Sequence, residues 1–167
     1  MNNLSSIINA VVYFLLQIIF IRHWALFDTA FCFVYISWLL FLPITMNPLL
    51  QMLIGFGYGF FIDLFYDTVG IHSACCVLLA YARTSITSLI KPSGGYDANA
   101  KPMLSYMGVQ WFFTYTFLLT TIHHLPLFFI EAWGLDMWLF TFFKALSSIL
   151  FTSSTIILFQ YLFYRNA

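Results

Sequence analysis

Four histidines (His23, His72, His123, His124) and three cysteines (Cys32, Cys75, Cys76) are the side chains whose chemistry could hold a metal or carry a nucleophile. Their spacing argues against both. There is no Cys-x-x-Cys and no His-Glu-x-x-His, and adjacent cysteines make a poor clip. Adjacent His123 and His124 point to different faces of a helix. The cysteines read as small apolar core residues, and the histidines, all near the ends of apolar runs, as interfacial hydrogen-bonding groups. No serine stands in a Gly-x-Ser-x-Gly turn beside an evident base. The expectation is a non-enzymatic protein with no catalytic residue, no metal and no cofactor.

Polar residues within apolar runs are more informative, because they are costly in lipid and face the bundle interior. Thr141, Lys144, Ser148, Thr152 and Thr155 recur on one helical face, and Gln110, Thr114 and Thr121 form a shorter stripe. They are expected to bind helix to helix, with a polar cavity as the alternative. The densest signal is the segment 55–72. Gly55 and Gly59 form Gly-x-x-x-Gly, a groove that lets another backbone approach. Asp63 and Asp67 continue the same face, and Gly70 suits a turn before His72. Gly57 adds flexibility or a second close contact. Asp63 is expected to accept hydrogen bonds from a neighbouring span or to pair with Lys144 or Arg22. Gly55, Gly59, Asp63, Asp67, Gly70 and His72 are therefore the candidate helix-packing or partner-binding residues.

The elements that position these residues follow from composition. Of 167 residues, 62% are apolar and only 7% charged, with zero net charge; mean hydropathy is +0.92. A soluble domain carries about 25% charged residues, so a soluble enzyme and a nucleic-acid binder are excluded. The apolar runs are continuous rather than alternating, which selects helices over a barrel. The chain reads as one all-α transmembrane domain, 1–167, a bundle of about six transmembrane helices near 4–21, 25–42, 49–66, 71–90, 103–122 and 138–163. The first run reads as a retained span rather than a cleaved signal. A tight turn, 43–48, a polar linker, 91–102, and an interfacial stretch, 123–137, join the spans. Arg83, Lys91, Lys101 and Arg165 fall on one side, Arg22 and Lys144 on the other, so both termini are expected to be cytoplasmic. Trp24, Trp133 and Trp138 then anchor the opposite interface.

The glycine-rich helix ending in Asp63, followed by Gly70-Ile71-His72 and the run Leu78-Leu79-Ala80-Tyr81-Ala82-Arg83, resembles the rod shape-determining protein MreD family of bacterial membrane proteins. The motif covers about 30 residues, and the six-span layout extends the likeness loosely to the whole chain. The resemblance implies a scaffold of the cell-elongation machinery in the cytoplasmic membrane. Its partners would be an MreC-like bitopic protein and a RodA-like glycosyltransferase with its transpeptidase, with an indirect link to MreB filaments. It also implies a helical arrangement shared with substrate-binding subunits of energy-coupling-factor transporters. A vitamin-transporter subunit of that kind is the rival reading. Such subunits resemble one another in an Ala-x-x-x-Ala repeat in the first span, where this chain has Ser5, Ser6, Asn9 and Ala10.

The orientation is open to test with a reporter active only outside the cytoplasm. It should be silent when fused after Ala167 and active when inserted near Asp67 or Glu131; the reverse pattern overturns the assignment.

Overall fold

The computed structural model describes residues 3–27, 29–97, 100–134 and 137–164. The chain is mostly helical (74%). Among the described residues, four helices are long and apolar enough to cross a membrane: Leu4–Ile21, Pro48–Tyr66, Val109–Glu131 and Trp138–Phe163. Large apolar side chains such as Ile7, Leu53, Phe60, Phe143 and Leu150 stay exposed on the outside, as a bilayer-facing surface requires. This is the fold of a helical membrane protein.

In chain order, α1 (Asn3–Leu15) loosens into a π-helical stretch, Leu16–Ile21, and a two-stranded hairpin follows, β1 (Ala25–Leu26) against β2 (Ala30–Phe31). A short α2 (Ile36–Leu40) precedes α3 (Pro48–Tyr66) and α4 (Ile71–Leu89). The one-turn α5 (Leu104–Met107) leads into α6 (Val109–Glu131), and α7 (Trp138–Tyr164) closes the described chain. α4 packs chiefly against α3 and α6, and α6 against α7. Asn47 caps α3 by accepting a hydrogen bond from Leu49 N, with Pro48 in the first turn, the arrangement expected of a helix start. The linker is pinned to the end of α4 by Tyr96 Oη donating to Thr87 O (2.7 Å) and Trp111 Nε1 to Ile90 O (3.0 Å).

Two expectations need correction. The stretch 25–42 is not one helix: it is the hairpin, an irregular stretch from Cys32 to Tyr35, and the five-residue α2. It is rich in aromatic and β-branched residues, which disfavour helix, and an apolar run alone does not separate a helix from a buried irregular strand. The interfacial stretch expected at 123–137 is also absent as such, because α6 continues through Pro126 to Glu131. His123 and His124 are fully buried, so what looked like interfacial polarity is bundle core.

Val34, Tyr35, Ile36 and Leu40 in this central segment, 25–42, are entirely buried. The segment runs antiparallel to α1: Trp38 Nε1 donates to Ser6 O (2.9 Å), while Gln17 Nε2 reaches Cys32 O (3.1 Å). Backbone that is not helical survives at membrane depth only where protein satisfies its polar groups. α7 does much of this. Phe31 N donates to Ser148 Oγ (2.9 Å) and Phe33 N to Thr152 Oγ1 (3.1 Å), and Gln17 Oε1 accepts from Tyr35 N (3.3 Å). Ser148 and Thr152 of the stripe on α7 are thus partners for the central segment, while Thr155 bonds Phe151 O of its own helix.

Removing one partner should therefore cost more than removing a hydroxyl that bonds only its own helix. Thr152→Val leaves Phe33 N unpaired, and unfolding in detergent should show a loss of about 1–3 kcal/mol. Ser147→Ala, whose hydroxyl bonds Phe143 O and Lys144 O on its own helix, should stay within about 0.5 kcal/mol of wild type.

Candidate functional site

Of the residues singled out at 55–72, Gly55, Gly59, Asp63, Gly70 and His72 form one brace between α3 and α4. A Cβ on Gly59 would lie 2.6 Å from Ser73 Cα and 2.8 Å from His72 O, and one on Gly55 2.9 Å from Cys76 O. Both glycines are therefore needed by the backbone of α4. The groove is filled within the chain and is not a free docking surface. A Cβ on Gly57 meets nothing within 4 Å, so the second close contact considered there does not exist.

Asp63, 4% exposed, accepts hydrogen bonds from His72 N (2.9 Å), Ser73 N (2.9 Å), Ser73 Oγ (2.5 Å) and Thr68 Oγ1 (2.5 Å). A carboxylate is favoured at a helix start, where amide groups lack intrahelical acceptors and the dipole is positive. The hydrogen-bonding expectation holds, and the pairing with Lys144 or Arg22 does not: Lys144 Nζ sits 3.2 Å from Glu131 and Arg22 3.9 Å from Asp67. Asp67 is the left-handed cap of α3 (φ 54°), and Gly70 (φ 82°) lets the chain reverse into α4. Asp67 lies at the surface, its side chain 91% exposed, and takes no part in the brace with Asp63.

His72, His123 and His124 are buried rather than interfacial. Tyr35 Oη lies 2.8 Å from His72 Nδ1 and 2.8 Å from His123 Nε2. His123 Nδ1 is 3.2 Å from His124 Nδ1, and His124 Nε2 is 3.0 Å from Thr152 Oγ1. This hydrogen-bonded chain joins α4, the central segment, α6 and α7. The Phe33 ring packs against His72 and His124 at centroid distances of 5.4 and 5.3 Å. All three cysteines are buried and free, as expected of apolar core residues. Cys76 Sγ touches the chain at 3.9 Å from both Tyr35 Oη and His123 Nε2. Among the described residues no group of three or more His, Cys, Asp or Glu is placed to hold a metal.

Arg83, counted above among the cations of one membrane side, is 2% exposed and stands inside the bundle. Its Nε donates to Tyr115 Oη (2.6 Å) and Nη1 to Gln51 Oε1 (2.7 Å) and Pro43 O (3.3 Å). Nη2 donates to the carbonyls of Leu40 and Leu42. The guanidinium thus gathers the carbonyls at the end of α2, where a cation is favoured, and no carboxylate accompanies it among the described residues. Sequence spacing concealed this role, because its acceptors lie on the central segment, α3 and α6. Arg165 and Asp136 lie outside the described residues.

Comparison with known proteins places the chain in no group: no protein family, curated protein or solved structure matches it.

The brace makes a sharp contrast among neighbouring residues. Gly59→Ala should lower stability by about 1–3 kcal/mol, because α4 must move away from the new methyl group, while Gly57→Ala should be neutral or slightly stabilising. Asp63→Asn replaces one accepting oxygen by a donor facing donors and should cost about 1–3 kcal/mol. Unfolding in detergent measures all three, and equal stability of the two alanine variants would remove the brace.

Proposed function

We propose that this chain is a non-enzymatic membrane scaffold of the bacterial cell-elongation machinery, with the role its resemblance to MreD implies. The observation that carries the reading is that the motif residues Gly55, Gly59, Asp63, Gly70 and His72 act together, as one α3–α4 brace. They are the same residues on which the resemblance rests. A unit built this way presets the outer surfaces of two helices for partners. In this reading the chain crosses the cytoplasmic membrane six times, the second crossing being the buried segment 25–42, and both termini are cytoplasmic. With Arg83 inside the bundle, the orientation rests on Lys91, Lys101 and Arg165 against Arg22 and Lys144.

Because Gly55 and Gly59 are occupied within the chain, the partner contacts fall to outward apolar faces. α1 offers Leu4, Ile7, Ile8 and Val11, and α3 offers Leu53, Phe56, Phe60 and Leu64. In lipid such faces associate by close packing, which suits the single span of an MreC-like protein and the helices of a RodA-like glycosyltransferase.

Depletion in a rod-shaped host should round the cells without loss of small-molecule uptake, and crosslinked pull-downs from membranes should recover MreC-like and RodA-like partners. Normal rods with a vitamin-uptake defect would instead establish the transporter-subunit reading.

A further inference from the structure

A cavity of about 320 Å³ opens where the end of α1, the hairpin, α4, α6 and α7 converge; Arg22, Phe31, Phe33, Tyr66, His72 and Lys144 line it. This is the lower end of the size range of small-molecule sites, which combine apolar walls with a few placed polar groups. Two features mark it as more than a packing fault. The first is His72, 2% exposed, whose Nδ1 is taken by Tyr35. Nε2, on the other edge of the ring, has no hydrogen-bond partner among the described residues and belongs to a side chain that lines the cavity. Nε2 is not one of the side-chain atoms sealed away without a partner, so it is open to the cavity and can meet a ligand atom.

The second feature is charge. Lys144 Nζ stands 4.8 Å from the centroids of both Phe31 and Phe128, and the Arg22 guanidinium 5.4 Å from that of Tyr66. The positions over these rings that attract a cation are already held by the protein's own cations, so a cationic ligand has nothing to gain there. The lining carries Arg22 and Lys144 against a single carboxylate, Glu131, which pairs with Lys144 and is 46% exposed. Arg22 meets its partner Asp67 only at 3.9 Å.

We propose that this cavity binds a small organic anion with a flat apolar body. Its carboxylate or phosphate faces Arg22 and Lys144, its body lies among Phe31, Phe33 and Tyr66, and an inner polar atom meets His72 Nε2. The buried hydrogen-bonded chain fits His72 for either kind of inner atom. Each junction from Thr152 through His124, His123 and Tyr35 to His72 holds one proton, so the neutral chain has two consistent arrangements. If Thr152 donates to Phe31 O (3.4 Å), it accepts from His124, and every junction then points so that His72 Nε2 is an acceptor. If Thr152 donates to His124, all the junctions reverse and Nε2 becomes a donor. Selectivity therefore rests on size, flatness and charge.

The site goes beyond the scaffold reading and can stand or fall without it. The test uses the full chain in phosphatidylcholine nanodiscs, with 2-naphthoate as probe and equilibrium dialysis against protein-free discs. Expected is saturable binding of one probe per chain, with 2-naphthylmethylammonium failing to bind. Arg22→Gln and Lys144→Gln, at the rim, should each weaken it about tenfold, the loss of one charged contact, and His72→Gln tests the inner contact. Discs containing phosphatidylglycerol separate the sources: displacement of the probe assigns the site to a lipid phosphate, and no displacement assigns it to a soluble acid. Uptake equal to that of empty discs, equal binding of the ammonium probe, or wild-type affinity in both rim variants overturns the proposal.

Discussion

The structure depends on one constraint: a stretch of backbone that is largely not helical occupies the centre of the bundle, and its polar groups must find partners without water. An unsatisfied amide or carbonyl in an apolar medium costs several kcal/mol, so the surrounding helices are committed to supplying partners. Ser148 and Thr152 serve the segment at one end, Gln17 serves its middle, and Arg83 with Tyr115 serves the other. The π-helical stretch after α1 falls where Gln17 turns inward to make two such contacts and a third to Tyr66 Oη on α3. The long helices α3, α4, α6 and α7 pack directly on one another, and together with α1 they enclose the central segment.

The same constraint explains how buried ionic groups are tolerated. Asp63 and Arg83 do not pair with one another or with any other charge among the described residues. Each is matched to the end of a helix, the carboxylate to the amides that open α4 and the guanidinium to the carbonyls that close α2. Helix ends carry partial charges of about half a unit, and each ion gains several hydrogen bonds as well. One ion orients α4 on α3, and the other fixes the central segment between α3, α4 and α6.

Much of this was legible in the sequence, for reasons that also mark where legibility ended. Membrane class and the long helices α1, α3, α4 and α7 follow from composition and run length, which are local properties. The residues of the α3–α4 brace were legible as one close-approach face because Gly55, Gly59 and Asp63 follow helical periodicity, but that α4 itself fills the groove was not. The central segment was not, since its aromatic run satisfies the apolar criterion for a helix equally well. The histidine chain was also hidden: His72, His123 and Tyr35 are brought together only by tertiary structure, and no periodicity links positions 35, 72 and 123. Arg83 was counted toward orientation because a burial site is invisible until its acceptors are placed.

The order in which the chain is made adds a consequence. The partners of Phe31 and Phe33 on α7 come 117 and 119 residues later in the sequence. When the central segment leaves the ribosome, α7 does not yet exist, and the Phe31 and Phe33 amides lack the acceptors they have in the folded chain. The brace between α3 and α4 needs only contacts some ten residues apart at the turn and can close as soon as both helices are inserted. Assembly is therefore ordered: a hairpin forms early, and the central segment is seated last, when α7 enters the membrane. A chain truncated before α7 would hold its brace and still lack its core.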